Sequence, residues 1–243
     1  MEPMSLLSIE NLSKSFSGIH AVRDVSLDVP EHEFLGIIGP NGAGKTTLFS
    51  LLSGEQPPTT GRVIFDGTDI TGWPASKIAR AGLVRTFQLM RPFESMSVLE
   101  NVTIAALSKR KSRRDARRHA LDVLDRVQLS DQVGGKVSAM STAGLKRLEL
   151  ARALAMEPRV VLLDEVLAGL VPAERAPMIE LLRTVHQEGQ TVLFVEHIMA
   201  AVMALSERLV VMHEGAVLTS GDPRTVVADD RVVEAYLGEE KTA

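Results

Sequence analysis

Residues 34–49 read "FLGIIGPNGAGKTTLF", and the fold turns on how this stretch is read. Its head, "FLGIIG", is continuously apolar, as a strand buried on both faces requires. Its tail, "TTLFSLLSG", follows a helical pattern. Between them "GPNGAGKT" fits G-x-x-x-x-G-K-[ST], a match expected by chance in on the order of one such chain in a hundred. Gly39, Gly42 and Gly44 free the backbone to turn its N–H groups inward around phosphate oxygens at a helix N-terminus, with Pro40, Asn41 and Ala43 completing the loop. Lys45 is then placed to reach the outer phosphates, Thr46 to offer its hydroxyl to Mg²⁺, and Thr47 to continue the first turn.

Two more apolar runs, "VVLLD" at 160–164 and "TVLFVEH" at 191–197, are each followed by a helical pattern. With 34–39 they are expected to form a central parallel sheet. The first ends in two acids. Asp164 stands where it can hold a metal, and Glu165 where it can polarise an attacking water. "LLSIENLSKSF", "AVRDVSLDV" and "GRVIFDG" instead alternate apolar and polar residues and predict an antiparallel sheet. From Pro92 to about Arg152 the pattern is helical with little strand signal, which predicts a helical subdomain over about 90–152. It contains the basic run "SKRKSRRDARRHA", read as a solvated helix face.

A chain of 243 residues buries roughly 70 to 75% of its unfolded surface and needs no staple. With no cysteine it has neither disulfides nor thiolate metal sites. A net charge of −4 gives no general pull toward nucleic acid, so no nucleic-acid partner is expected. "MEPMSLLSIE" lacks the basic head and apolar core of a signal peptide, and no apolar run reaches the roughly 18 residues of a membrane span. A cytoplasmic chain that meets a membrane only through a partner is the expectation.

From about Leu6 to Gly238 the sequence resembles the ATP-binding-cassette (ABC) ATPases. The resemblance implies an α/β P-loop NTPase fold: a RecA-like parallel core, an antiparallel β subdomain and a helical insertion. It implies ATP and Mg²⁺ as ligands. Phe16 corresponds to the aromatic that stacks on adenine, Gln88 in "VRTFQ" to the glutamine that meets metal and water, and His197 in "VEHIM" to the γ-phosphate histidine. The other histidines, 20, 32, 119, 186 and 213, are expected at the surface. "GLVRTFQ", "LAGLVPAE", "VEHIM" and "VVEAYLGEE" look most like the ATPase subunits of branched-chain amino acid importers. Those subunits pair with a second ATPase subunit on the inner membrane face, beneath integral-membrane permeases that a periplasmic solute-binding protein supplies. Cassettes for urea or amide import or lipopolysaccharide export share these tails, and a soluble non-transport ABC ATPase is the more distant alternative. The segment from Gln88 to Glu100, with Met90 and Phe93, is where a short permease helix is expected to dock.

In this family an "LSGGQ" signature closes over the nucleotide held by the other protomer. Here the corresponding run is "MSTAG": Ser141 is kept, while Thr142 and Ala143 stand on the two glycines and Gly144 on the glutamine. A left-handed backbone at Ala143 would cost roughly 1 to 2 kcal/mol, and a lost charge-assisted hydrogen bond about 1.5 to 3 kcal/mol. The resemblance therefore implies a phosphate grip of reduced or altered strength. Val166 after Asp-Glu and Val171 in "LAGLVPAE" also depart from the usual proline and polar residue.

Overall fold

A computed structural model describes residues 5–86 and 92–240, with side chains as far as Tyr236. The elements run β1 (Leu7–Phe16), β2 (Ile19–Val29), β3 (Phe34–Ile38), α1 (Lys45–Leu52), β4 (Thr60–Phe65), β5 (Thr68–Asp69), α2 (Ala75–Ala81), β6 (Leu83–Arg85), α3 (Val98–Ala106) and α4 (Arg113–Arg126). After two 3₁₀ turns come α5 (Thr142–Leu154), β7 (Val160–Asp164), α6 (Pro172–Gln187), β8 (Thr191–Val195), α7 (Met199–Leu205), β9 (Arg208–His213), β10 (Ala216–Gly221), α8 (Pro223–Val227) and α9 (Asp230–Glu240). They divide between two compact units, residues 1–78 with 191–243, and residues 79–190.

In the first unit the alternating segments form the antiparallel sheet β2-β1-β4-β5. Leu7 lies opposite Val29 on one side and Phe65 on the other, and Ile9 opposite Leu27 and Val63. All six side chains are buried, as a period of two on one face demands. Ser17 and Gly18, both at positive φ (46° and 90°), make the two-residue hairpin between β1 and β2. The same unit holds β3 parallel to β8 (Phe34 opposite Val192) and to β9 (Ile37 opposite Val210), with β10 antiparallel beyond β9. Every residue of β3 and β8 is buried, which accounts for their unbroken apolar sequences. Arg208 forks onto Glu33 at 2.7 and 2.9 Å and so ties the start of β9 to the turn before β3.

In the second unit β6 and β7 pair in parallel, Leu83 opposite Val160 and Arg85 opposite Leu162. Helices α3, α4 and α5 bury one stripe each, including Val98 and Val102, Ala120 and Val123, and Leu148 and Leu154. Ser97 and Glu100 form a capping box on α3. Fully buried Asn101 holds the incoming chain through both main-chain groups of Phe93, at 2.8 and 3.1 Å. The basic run begins α4: Arg113, Arg114, Arg117 and Arg118 are exposed, as a solvated face should be. Strands β6, β9 and β10 add to the expected set; β6 has only three residues, too few to show a period.

Candidate functional site

The glycine-rich loop leaves β3 with Gly39 at φ 151°, Gly42 at 75° and Gly44 at 97°. Two of these glycines are also places of close approach: a Cβ at Gly39 would collide with the Met212 carbonyl, and one at Gly44 with the Ala21 carbonyl. Helix α1 starts at Gly44, and no side chain caps its first turn. The Lys45 side chain is buried, its Nζ donating to the Gly39 and Pro40 carbonyls at 2.6 and 2.8 Å. Thr46 is exposed and Thr47 half-buried. Phe16, at the end of β1, is 41% exposed with the Lys14 ammonium 5.0 Å from its ring centroid, so it is a surface aromatic available for stacking. His197 follows β8, exposed, its N–H donating to the Glu196 carboxylate at 3.1 Å.

In the second unit Asp164 closes β7 and is 2% exposed. Arg85 of β6, its side chain 6% exposed, donates Nη2–H to Asp164 Oδ2 at 2.6 Å. The other oxygen, Oδ1, is buried and has no hydrogen-bond partner among the described residues. A bare, buried carboxylate oxygen is the donor a hard cation takes, so Asp164 fits Mg²⁺. Among the described residues no three His, Cys, Asp or Glu side chains form a metal cage.

Glu165 has φ 50°, a left-handed backbone rare for a residue with a Cβ. Its carbonyl accepts from the Ala168 N–H at 3.1 Å and from Lys146 Nζ at 3.1 Å. Val166 is buried. Val171 precedes α6 as its cap residue, its side chain 56% exposed and its N–H donating to Glu174 at 3.2 Å.

The "MSTAG" run is the head of α5. Ser141 is its cap residue, and its hydroxyl accepts from the Gly144 N–H at 3.1 Å. Ala143 lies in the first helical turn and is absent from the left-handed residues, so the backbone strain considered for it is not incurred. What remains different from "LSGGQ" is the amide lost at Gly144 and the side chains added at Thr142 and Ala143.

Gln88 and Met90 lie outside the described residues. Phe93, 43% exposed, borders a cavity of about 200 Å³ with Ile104, Ala105, Arg152, Ala153 and Met156. The surface reading of the remaining histidines holds for His20 and His32, while His119, His186 and His213 are half-buried. Sequence reasoning missed Arg85 and Lys146. The signals were there: a lone arginine in an apolar three-residue strand, and a lysine in line with Glu149, Leu150 and Ala153 on the buried face of α5.

The family described as "ABC transporter" matches residues 22–168, and that described as "Branched-chain amino acid ATP-binding cassette transporter" matches residues 216–242. The chain is 38% identical to the high-affinity branched-chain amino acid transport ATP-binding protein BraF of Pseudomonas aeruginosa, covering 96% of this chain and 98% of BraF. It is 37% identical, over the same shares, to LivG of Escherichia coli. Among solved structures, the ADP conformation of MJ1267, an ATP-binding cassette of an ABC transporter, superposes with a TM-score of 0.88 at 30% identity, covering 97% and 99% of the two chains. A dimeric post-hydrolysis cassette, MJ0796 bound to ADP and Pi, gives 0.81 at 25% identity over 90% and 99%.

Proposed function

The chain belongs to the ABC transporter ATP-binding family, and from that premise we propose that it is the ATP-hydrolysing subunit of an importer for branched-chain amino acids. The fold is that of the ABC cassettes. The match of residues 216–242 to the branched-chain family carries the substrate class. That segment begins at β10 and includes α8 and α9, so the likeness reaches well beyond the phosphate loop.

In this reading one ABC ATPase domain runs over residues 6–238, with its helical part at about 90–152. The N–H groups of the 39–44 loop cradle the triphosphate and Lys45 neutralises its outer charge. Phe16 stacks on the base. Thr46, Asp164 and Gln88 would supply the protein oxygens for Mg²⁺, which would offset the charge of the phosphates when bound. Glu165 orients the attacking water and His197 steadies the γ-phosphate. Ser141, Ala143 and Gly144 of a second ABC ATPase subunit close over the nucleotide, so two chains make two sites and hydrolysis reopens the pair.

No helix among the described residues is long and apolar enough to cross a membrane. We place the chain on the cytoplasmic face of the inner membrane, held by integral-membrane permeases whose cytoplasmic helix docks beside Phe93, and served indirectly by a periplasmic binding protein. The apolar lining from Ile104, Ala105, Ala153 and Met156 supports that docking site.

The test is reconstitution with the cognate permeases in proteoliposomes. ATP turnover is expected to rise when the binding protein is loaded with leucine, isoleucine or valine, and to vanish in Lys45→Ala. Turnover that ignores these solutes would assign the chain to another transporter.

A further inference from the structure

We infer that Lys146 is a positioning residue that joins the signature helix α5 to the general base of the same chain, so that the grip offered to a neighbour's nucleotide adjusts the chain's own hydrolysis. This rests on the ATPase reading above and adds a residue and a coupling to it.

The inference starts from the cost of what is seen. Glu165 is held at φ 50°, a conformation strained for a residue with a Cβ that persists only where its surroundings over-determine it. Two donors meet its carbonyl: the Ala168 N–H, local to the turn, and the Lys146 ammonium, which comes from a different element. Lys146 is 6% exposed. A buried ammonium is costly unless it is well hydrogen-bonded, and part of this one's hydrogen bonding is spent on the main chain of the base. The left-handed turn decides where the Glu165 side chain points after β7. The Lys146 contact therefore bears on the water-orienting group without touching substrate.

Position along α5 supplies the second half. Ser141 caps the helix at its head and Lys146 follows in the next turn of the same rigid rod. The loop beyond Glu165 also runs beside that head: a Cβ placed on Gly169 would stand 3.8 Å from Thr142 Cγ2. A shift of the α5 head on meeting phosphate moves Lys146 with it and reaches the Glu165 carbonyl through one hydrogen bond. Each chain thus carries a link from the site it helps its partner to form to the site it uses itself, and the link acts on the rate of hydrolysis.

The experiment uses the full-length chain at concentrations where turnover rises faster than linearly with protein. Lys146→Met is expected to lower kcat by about 10- to 100-fold, the scale of a displaced catalytic group, with KM within about threefold of wild type. Lys146→Arg, which keeps a cationic donor, is expected to restore most of kcat. ATP-driven dimerisation in the Glu165→Gln background is expected to be unchanged by adding Lys146→Met. Ser141→Ala and Lys146→Met combined are expected to lose less than the product of the single losses, the signature of coupling. A Lys146→Met kcat within twofold of wild type, or losses that multiply, would overturn the inference. If Lys146→Met does not fold, hydrogen exchange at the Ala168 amide decides: ATP-dependent protection that disappears in Ser141→Ala supports the link, and protection that persists overturns it. A wild-type chain without ATP turnover overturns this inference together with the ATPase reading. Turnover that needs Lys45 but ignores Lys146 overturns this inference alone.

Discussion

Two helix N-termini in this chain have been treated in opposite ways. Helix α1 opens at Gly44 with no side-chain cap. Helix α5 opens at Ser141, whose hydroxyl already accepts from Gly144. The glycines of the first loop sit at positive φ and two of them press against neighbouring carbonyls, so no other residue fits there. The corresponding glycine positions at α5 are Thr142 and Ala143, both inside the first helical turn. The contrast teaches that a helix start reserved for a ligand keeps its own side chains away from its head, whereas one closed by its own cap stands complete without a ligand. In the proposed ATPase the first would be built around the triphosphate, and the second would face it only when a partner brings it.

Lys45→Ala breaks the comparison most severely. MgATP binding is expected to weaken by at least 100-fold, since charge-assisted hydrogen bonds to phosphate are lost together, as titration calorimetry would read directly. Arg85→Met tests the buried pair of the second unit. It leaves the Asp164 carboxylate uncompensated, and urea unfolding is expected to show a loss of about 3 to 5 kcal/mol. The matching substitution in the first unit, Arg208→Met, is expected to cost less, about 1 to 2 kcal/mol by the same measurement, because Arg208 is 28% exposed. Ser141→Ala removes the α5 cap and is expected to cost about 1 kcal/mol while leaving the nucleotide affinity of the isolated chain unchanged. Ala143→Gly, which restores a family glycine, is expected to cost about 0.5 to 1 kcal/mol, because that residue is helical here. A stabilised Ala143→Gly protein would mean that α5 starts later than Thr142.

Much of this was legible in the residues because it is local. The phosphate loop is a spacing, β1, β2 and β4 are a period of two, and Asp164 with Glu165 ends an apolar run. What escaped was set by partners distant in sequence. Arg85 becomes the counter-ion of Asp164 only because β6 pairs with β7, 79 residues apart at the ion pair. Lys146 reads as one more charge on a helix until α5 is packed with its buried face toward the Glu165 turn. The handedness of Ala143 was likewise undecidable from the residue alone: alignment on a glycine motif suggests freedom, but the cap at Ser141 fixes an ordinary turn. Strand β6 had too few residues to announce itself.

The Lys45 ammonium, resting on the carbonyls of residues 39 and 40, bears on how product leaves. In the proposed ATPase an arriving nucleotide would take those contacts over instead of meeting a bare charge, and a departing one would hand them back. The loop's oxygens are tethered a few bonds away and act as a rival acceptor at high effective molarity, so they would compete with ATP and ADP alike for the same cation. The cradle thus limits how tightly it can hold any phosphate, which keeps exchange open.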